Sequence, residues 1–458
     1  MKNRIYIKGL KEHIGKEITI AGWVDVRRDQ GKMVFFDMRD MTGKVQCVTL
    51  PVHPDAIEKA KEIRPEWVVE VKGLVNKRTD KNANGNVEIE VLDIEILSKA
   101  ETLPFDITTD TIGVNEETRL AYRYLDLRSK RMQKNIRMRS EFVKKAREFL
   151  FSKMFTEIET PLLTESTPEG SRDFVVPSRL NPGNFYALPQ SPQQYKQLLM
   201  VGGMEKYFQI ARALRDEDLR ADRGFEHTQI DIEMSFVEME DVMNTVEEMV
   251  TTVVESMGFT IKEKPFPRIT YEDSMKKYGA DKFDMRTEED KKNNILAYAW
   301  VVNFPFFEKT DDGKWTFTHN PFSMPIPEHL EWLMKGENIE SILTTQYDLV
   351  CNGYEAGGGS IRAHKPEILK ATYKVMGYSE EEIEDRVGHM LKAFKYGAPP
   401  HGGIALGVER NLMNLTNETY LREVVAFPMT RGGKTAVMNA PKPLEEKQLK
   451  ELNIKISK

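Results

Sequence analysis

Five short segments of alternating or β-branched apolar residues follow one another in the first 100 residues, and they constrain the fold more than any other feature. They cover residues 18–28, 32–40, 44–50, 66–78 and 87–99. This period-2 pattern is typical of strands with one buried face. Between the third and fourth segments, residues 53–65 have the pattern of a helix. The first 100 residues are therefore predicted to form a small five-stranded domain with one helix.

The order of these elements, with the helix after the third strand, is that of an OB-fold barrel, and such barrels commonly bind oligonucleotides. Phe35 and Phe36 are adjacent, so their side chains point to opposite faces of a strand, and one can fill the core while the other is exposed. Arg28 and Gln46 are expected near Phe35. An aromatic ring beside basic groups suits base stacking and phosphate neutralisation. A β-barrel without a ligand has the same strand pattern and remains an alternative.

Composition places the whole chain among ordinary globular proteins. Its 458 residues include 66 Lys and Arg against 72 Asp and Glu, a net charge of −6, so a nucleic acid must be held by local patches. No apolar run reaches the ~20 residues of a membrane span, and no secretion signal is expected from the amino-terminal residues. Because Cys47 and Cys351 are the only cysteines, a reducing, cytoplasmic location without disulfides is predicted.

The rest of the chain predicts a connector and a larger domain, so that the whole chain is of the α+β class. Residues 1–103 form the predicted barrel domain, residues 104–130 show few helical signals and are interpreted as a hinge or linker, and residues 131–458 form the second domain. Residues 131–153 and 241–258 have apolar residues at helical spacing. Elsewhere, strand-like runs alternate with charged or glycine-rich turns, which favours a mainly antiparallel sheet flanked by helices.

A charged hairpin in the second domain, RDEDLRADRGFE at residues 215–226, separates two of these strands. It is expected to place Arg215, Glu217 and Arg223 around one sheet face. Arginine presents a planar fork of donors that suits phosphate, and a glutamate can accept a hydrogen bond from an amino group such as that of adenine. A surface hairpin whose charges pair with one another is the alternative.

A glycine-rich segment carries two carboxylates and an arginine. Asp348 and Glu355 flank a presumed strand, three glycines follow at 357–359, and Arg362 comes next. Mg²⁺ prefers few carboxylates together with substrate oxygens, and glycines let a ligand approach the backbone. The segment therefore indicates a magnesium site, while a glycine-rich hairpin with unrelated charges remains the alternative.

Two further segments suit an anion and an ammonium group. Residues 398–413 predict a glycine-rich strand that enters a helix with Arg410 at its start, which favours an anion there. The same pattern also serves simple contact between a helix and a strand. Residues 163–174 form a polar loop in which Glu169 can accept a hydrogen bond from an α-ammonium group.

Residues 188–200 bring Ser191, Gln193 and Lys196 to a strand–helix junction. Lys196 and Arg362 together would give two cationic contacts for a side-chain carboxylate. A solvated lysine in the first turn of the helix is the alternative for Lys196.

Together these segments closely resemble the class II aminoacyl-tRNA synthetases, and specifically their bacterial-type aspartyl branch, over nearly the whole chain. FTEIETP at 155–161, the charged hairpin with the TQIDIE that follows it, and GIALGVER resemble motifs 1, 2 and 3 of the class. LPQSPQ, TPEGSRDF and GGGSIR resemble segments of the aspartyl branch, and GWVDVRRDQG, FFDMRD and GKVQ resemble its anticodon-binding OB domain. The resemblance implies an OB-fold barrel joined to a class II catalytic domain.

The resemblance also implies roles for the matching residues. Arg215 and Arg410 are the implied catalytic residues, and Asp348 and Glu355 the implied Mg²⁺ ligands. The residues implied to bind ATP are Arg215, Glu217, His227, Glu355, Gly407 and Arg410. Those implied to bind aspartate are Glu169, Ser191, Gln193, Lys196, Arg215, Asp231, His319 and Arg362. Those implied to contact the anticodon are Arg28, Phe35, Gln46 and Glu90.

The implied activity is the two-step charging of tRNA(Asp) with L-aspartate. The aspartate carboxylate attacks the α-phosphorus of ATP, pyrophosphate leaves, and the aspartyl-adenylate then acylates the terminal ribose of the tRNA. Because the nucleophile is already an anion, the first step needs positioning and charge neutralisation rather than a general base. ATP, Mg²⁺, tRNA(Asp) and a second copy of the chain in a homodimer are the implied cofactors and partners. The sequence does not decide whether tRNA(Asn) is also charged, and Gln30 is a candidate determinant.

Two other functions compete with this one. An asparaginyl or lysyl synthetase is disfavoured because neither substrate calls for both Arg362 and Lys196. A protein that binds RNA without catalysis is disfavoured by the intact set Arg215, Glu217, Asp348, Glu355 and Arg410.

The sequence departs from the family pattern at four places. Where the family has Gln-Pro-Glu-Phe, residues 224–227 read Gly-Phe-Glu-His, so His227, or Phe225 if the loop shifts, is the implied adenine platform. The other departures are Asn320 after His319 in place of paired histidines, Glu409 in place of aspartate in motif 3, and the apparent loss of the domain that bacterial members carry between motifs 2 and 3, of which a short remnant is expected near 284–298.

Overall fold

The computed structural model describes residues 3–78, 86–166 and 171–457, and the chain divides into two compact units, Met1–Asp110 and Thr111–Lys458. Each unit has an apolar core of its own. In the described ranges, no helix has the length and apolar character needed to cross a bilayer.

The first unit is a closed five-stranded barrel. Its elements are β1 Glu17–Gln30, β2 Met33–Arg39, β3 Lys44–Thr49, α1 Pro54–Glu62, β4 Val68–Lys77 and β5 Val87–Ser98. The strands follow the order β1-β2-β3-β5-β4, and β1 pairs with β4 to close the barrel. Phe36, Cys47 and Ile89 are fully buried inside it. The predicted OB-fold, with its helix after the third strand, is confirmed.

The second unit is built on an eight-stranded, mainly antiparallel sheet with helices packed against it, as the α+β pattern predicted. The strands of the unit are β6 Thr156–Glu157, β7 Val175–Pro177, β8 Phe185–Ala187, β9 Lys206–Leu214, β10 Glu226–Ser235, β11 Arg268–Thr270, β12 Tyr298–Val302, β13 Phe307–Lys309, β14 Trp315–Phe317, β15 Gln346–Cys351, β16 Tyr354–Ile361 and β17 His401–Gly407. The order in the eight-stranded sheet is β11-β12-β15-β16-β17-β10-β9-β6. The helices are α2 Glu116–Ala121, α3 Arg123–Asp126, α4 Lys130–Ser152, α5 Gln193–Val201, α6 Met239–Ser256, α7 Tyr271–Tyr278, α8 Glu288–Lys292, α9 Leu330–Lys335, α10 Pro366–Val375, α11 Glu380–Phe394, α12 Val408–Thr416 and α13 Glu446–Glu451.

The alternation of side chains along β10 gives the sheet one apolar face and one polar face. Ile230 and Ile232 join the main apolar core together with residues of α4, α6 and α12. Asp231 and Glu233 therefore point to the opposite face, because successive side chains on a strand alternate. Both carboxylates are buried, so this polar face is covered by other groups and must supply partners for them.

One segment differs from its sequence interpretation. The stretch 111–130, interpreted as part of a linker, belongs to the second unit and contains α2 and α3. Buried polar contacts hold it there: Arg119 donates to Glu423 Oε1 at 3.0 Å, and Arg123 Nε donates to the carbonyl oxygen of Ala426 at 2.9 Å. In the segment FTEIETP, Thr156 and Glu157 pair with β9 as a strand, and the Thr160 hydroxyl also contacts β9 by donating to Gln209 Oε1 at 3.0 Å.

Candidate active site

A polar cleft of about 320 Å³ lies on the polar face of the sheet in the second unit. Strand register builds its floor, because Asp231, Ala405, Gly358 and Asp348 stand opposite one another across β10, β17, β16 and β15. The predicted site residues that line the cleft are Ser191, Gln193, Lys196, Arg215, Glu217, His227, Asp231, His319, Asp348, Glu355, Arg362, Gly407 and Arg410. Glu169, also predicted, lies outside the described residues.

The charged hairpin between β9 and β10 forms one side of the cleft. Arg215 is oriented by its Nε, which donates to the carbonyl oxygen of Gln190 at 3.3 Å. Glu217 pairs with Arg223 at 2.8 Å and accepts a hydrogen bond from the Ser171 hydroxyl. The hairpin thus contains an internal charge pair, as the alternative of a surface hairpin predicted. Both members of this pair nevertheless line the cleft.

His227, and not Phe225, lines the cleft. Burial and the neighbouring cations Arg215 and Arg410 lower the pKa of His227 to about 3, so its imidazole is neutral near pH 7. Phe225 instead packs edge-on against Phe174, with ring centroids 5.3 Å apart. A neutral imidazole offers a flat face to a base, which Phe225 in this position does not.

Asp348 and Glu355 approach each other across the β15–β16 pair. Gly358 leaves the space between them open, because a Cβ there would lie 3.0 Å from Asp348 Oδ1 and 3.5 Å from Glu355 Oε1. Lys282 Nζ lies 3.0 Å from Glu355 Oε2, and Arg410 Nη1 lies 3.5 Å from the same oxygen. Against the effect of burial, these cations hold the pKa of Glu355 at about 2, whereas burial and the neighbouring Glu355 raise the pKa of Asp348.

These two carboxylates fit a magnesium ion that completes its coordination with substrate oxygens. In the part of the chain that the structure describes, no cluster of three or more His, Cys, Asp or Glu suits a metal. A site with few protein ligands is the kind that Mg²⁺ shares with a bound phosphate, because Mg²⁺ retains water or substrate oxygens readily.

A buried ionic cluster occupies the other end of the cleft. Lys196 Nζ lies 2.7 Å from Asp231 Oδ1 and 3.3 Å from Glu233 Oε2. Arg362 donates to Glu233 through Nε at 2.9 Å and through Nη2 at 3.1 Å, and its Nη1 donates to the Ser360 hydroxyl at 2.8 Å. Lys196 is 2% exposed, which excludes the solvated lysine that the sequence left as an alternative.

Two members of the site were missed by sequence reasoning. Glu233 contacts both predicted cations, and the signal for it was present, because Gln229, Asp231 and Glu233 alternate along one strand face. Lys282 lies far from Glu355 in the chain and has no local signal, so only the folded structure reveals the contact.

The candidate anticodon residues share the outer face of the barrel in the first unit. Arg28 stands opposite Phe35 in the β1–β2 pair, and Val48 links Phe35 to Glu90 across β3 and β5. Phe36 is fully buried whereas Phe35 is half-buried, as predicted from their adjacency.

Two members of this outer face are already held by neighbours. Gln46 accepts a hydrogen bond from Arg78 Nη1 at 3.1 Å. Glu90 accepts from Asn76 at 3.1 Å and lies 3.3 Å from His53 Nε2.

Comparison with known proteins agrees with both units. Residues 115–431 match the family of class II tRNA synthetases (D, K and N), and residues 18–97 match the OB-fold nucleic acid binding domains. The chain therefore belongs to the class II tRNA synthetases of the D, K and N group, as its motifs indicated.

Within that class, the similar relatives are named as ligases of aspartate to tRNA. The chain is 37% identical to the aspartate–tRNA ligase of Staphylococcus saprophyticus, with 97% of both chains covered. It is 38% identical to the aspartate–tRNA(Asp/Asn) ligase of Thermodesulfovibrio yellowstonii, with 97% of this chain and 98% of the relative covered. The alignment with the staphylococcal protein spans 573 positions, 115 more than the 458 residues of this chain, which agrees with the loss of an inserted segment.

Solved structures show the same fold. The asparaginyl-tRNA synthetase from Pyrococcus horikoshii, complexed with asparaginyl-adenylate, has a TM-score of 0.76 at 24% identity and covers 94% of this chain and 99% of its own. A putative aspartyl-tRNA synthetase from Leishmania major has a TM-score of 0.75 at 22% identity and covers 93% of this chain and 94% of its own.

Proposed function

We propose that this chain is an aspartate–tRNA ligase, which activates L-aspartate with ATP and transfers it to the 3′-terminal ribose of tRNA(Asp). The observation that carries the proposal is the placement of Lys196 and Arg362 side by side in a cleft that also contains Arg215 and Arg410. The names of its relatives support the same conclusion.

The N–H groups of Lys196 and Arg362 that remain available explain why the pocket would bind an acidic amino acid. An ammonium has three N–H groups and a guanidinium has five. Lys196 donates one hydrogen bond to Asp231 and is ion-paired with Glu233 at 3.3 Å, and Arg362 uses two N–H groups on Glu233 and one on Ser360. Ammonium N–H groups of Lys196 and two guanidinium N–H groups of Arg362 are left to donate to the side-chain carboxylate of aspartate. The amide of asparagine would turn its own N–H₂ toward these donors, which leaves buried polar groups unpaired and costs roughly 10⁴-fold in specificity.

The first chemical step needs fixed positive charge and no proton transfer. Arg215 would neutralise the α-phosphate and the substrate carboxylate, and Arg410 would hold the γ-phosphate, because both guanidinium groups border the cleft with ordered partners. Glu217 would accept from the adenine amino group, with His227 as the flat platform against the base. Asp348 and Glu355 would hold Mg²⁺, which supplies charge neutralisation at the phosphates.

The remaining proposed substrate contacts surround the amino acid. Ser191, Gln193 and His319 would lie beside its ammonium and carboxylate, with Asp231 holding Lys196 in place. The backbone at Gly407, directly before α12, would approach the nucleotide.

Recognition of the tRNA would fall to the outer face of the barrel. Phe35 would stack on an anticodon base, and Arg28 would contact the phosphate backbone. A second copy of the chain is a proposed partner, which the exposure of Leu162 and Leu163 directly after motif 1 supports, since both are more than half exposed. Charging of tRNA(Asn) is a second candidate activity because one relative is named for both tRNAs.

Pyrophosphate exchange tests the proposal directly. The purified chain is incubated with ATP, labelled pyrophosphate and either aspartate, asparagine or lysine, and exchange is expected with aspartate alone. Exchange with asparagine or lysine instead would overturn the substrate assignment, and the absence of exchange with all three would favour the RNA-binding alternative. Charging of tRNA(Asp) and tRNA(Asn) transcripts then separates the two tRNA specificities.

A further inference from the structure

A chain of buried polar groups runs from β17 to the wall of the cleft. His401, at the start of β17, and Gln197, in α5, are both fully buried, and Gln193 lies one turn before Gln197 and borders the cleft. His401 Nδ1 lies 2.8 Å from the carbonyl oxygen of Pro399, and His401 Nε2 lies 3.2 Å from Gln197 Nε2. Gln197 Oε1 lies 3.1 Å from Gln193 Nε2.

The backbone carbonyl at one end fixes the direction of every hydrogen bond in this chain. A carbonyl oxygen can only accept, so His401 Nδ1 must carry the proton and donate to Pro399. In a neutral imidazole, Nε2 then has a lone pair and accepts, so Gln197 must donate to it through its amide nitrogen. Gln197 therefore turns its oxygen toward Gln193, which donates to it through its own amide nitrogen.

The surroundings of His401 keep its imidazole neutral. Burial and the neighbouring Arg362 and His364 lower its pKa to about 4, and Glu233 opposes them only in part. A doubly protonated His401 would donate at both nitrogens, which would reverse the amide of Gln197 and, in turn, that of Gln193.

We infer that His401 and Gln197 are positioning residues that turn the amide of Gln193 so that its oxygen faces the cleft, where it accepts a hydrogen bond from the α-ammonium of the amino acid. The inference rests on the proposed function, since it assigns the atom of Gln193 that meets the substrate of that reaction. The reversed amide would present an N–H₂ group to an ammonium, two donors facing each other. The buried hydrogen-bond chain from His401 to Gln193 thus selects a substrate with an α-ammonium group over a carboxylic acid that lacks one.

A purely structural role would need only that the buried groups have partners, with no effect confined to one substrate. The two roles are separated by a pair of variants at one position. His401→Leu removes the acceptor and releases Gln197 to turn either way. His401→Gln offers an amide oxygen as an acceptor where Nε2 stood, whereas His401→Leu offers none, and both variants lose the imidazole Nδ1–H that donates to Pro399.

Steady-state pyrophosphate exchange measures the effect. We expect His401→Leu to raise KM for L-aspartate about tenfold, as befits a misdirected hydrogen bond to a charged group, with KM for ATP changed less than about twofold. His401→Gln should restore KM for aspartate to within about threefold of the unchanged protein. His364→Leu removes a half-buried histidine whose ring centroid lies 6.2 Å from that of His401, and serves as the control with KM for aspartate unchanged.

Equal increases in both KM values, or no change in KM for aspartate, would overturn the inference. The tautomer is measured independently by nitrogen NMR of the unchanged protein labelled at histidine, with the His401 signals identified by their loss in His401→Gln. Protonated Nδ1 and unprotonated Nε2 are expected at neutral pH, and a proton on Nε2 would refute the directed chain. An absence of pyrophosphate exchange in the unchanged protein would refute the proposed function. The NMR measurement does not depend on turnover, so it would still test the directed hydrogen-bond chain from His401 to Gln193.

Discussion

Replacement of Glu233 by glutamine tests the buried ionic cluster most directly. Glu233 is fully buried and is held by Arg362 and Lys196, each 2% exposed. Together with Asp231, the cluster has two cations and two carboxylates, so Glu233→Gln leaves one positive charge without a counter-charge. Removing one partner of a buried ion pair costs about 3–5 kcal/mol, and we expect the free energy of unfolding to fall by that amount.

The substrate should restore much of this loss. The side-chain carboxylate of L-aspartate supplies a negative charge at the place where one has been removed, so the variant should gain more from the ligand than the unchanged protein does. A ligand at 100 times its Kd stabilises the folded state by about 2.7 kcal/mol. Thermal unfolding followed by circular dichroism, with and without saturating aspartate, measures both the loss and the recovery.

The matched control is Glu240→Gln. Glu240 also pairs with an arginine, since Arg268 Nη2 lies 2.8 Å from its Oε2, but its side chain is 53% exposed. An exposed pair contributes about 1 kcal/mol or less, so this variant should unfold near the temperature of the unchanged protein. Equal stability of the two variants, or a larger shift by aspartate in the unchanged protein, would contradict the account of the cluster.

Four further outcomes are expected. Arg362→Leu should abolish aspartate-dependent exchange while far-ultraviolet circular dichroism is unchanged, because it removes two free donors of the pocket; normal exchange would remove Arg362 from the substrate site. Phe35→Ala should weaken tRNA charging by the ~1–3 kcal/mol of one base stack and leave exchange unaltered, whereas an equal loss of both activities would indicate misfolding. His227→Phe should maintain or improve KM for ATP, since residue 227 would serve as a flat platform, and a large increase would show a polar contact of the imidazole. Against the effect of burial, Arg362 and Lys196 hold the pKa of Glu233 at about 2, below its ordinary 4.5, so stability present above pH 4.5 should be lost as pH falls toward 2. Glu233→Gln should not show this loss of stability at low pH. If the free energies of unfolding of the variant and the unchanged protein fell in parallel with pH, the loss would not come from Glu233.

The barrel was predictable because its strands alternate apolar and polar residues, as in the pair Phe35 and Phe36, one half-buried and the other in the core. The cleft was predictable in part, because glycine-rich turns and charged hairpins marked where Asp348, Arg362 and Arg410 would lie. These signals are local, and the chemistry that each residue type supports is known without the fold.

The helices at 116–126 lacked a signal of this kind. Besides Leu120 and Leu125, their buried residues are charged, with Arg119, Arg123 and Asp126 paired to one another and to Glu423. Because residues of these types are exposed in most proteins, the segment that contains these helices was interpreted as part of a linker. Ion pairs with residues about 300 positions away in the chain, such as the one between Arg119 and Glu423, are invisible before the chain folds.

The cluster around Glu233 was missed in part for a related reason. Its position on the polar face of β10 was readable from alternation, but its two partners come from α5 and from the end of β16. Only the folded structure shows that Lys196 and Arg362 are both paired with Glu233, with part of their N–H groups left for a substrate.

The close approach of β10 and β17 fixes the floor of the amino-acid pocket independently of what lines it. At Gly403, a Cβ would lie 2.0 Å from the carbonyl oxygen of Ile232, so the two backbones leave no room for a side chain there, whichever residue stands at 233. Lys196, Glu233 and Arg362 thus set the charge pattern of the pocket, above a floor whose backbone position is fixed. Changing the amino-acid specificity of the pocket therefore requires a search over these three positions alone, because the floor beneath them is rigid.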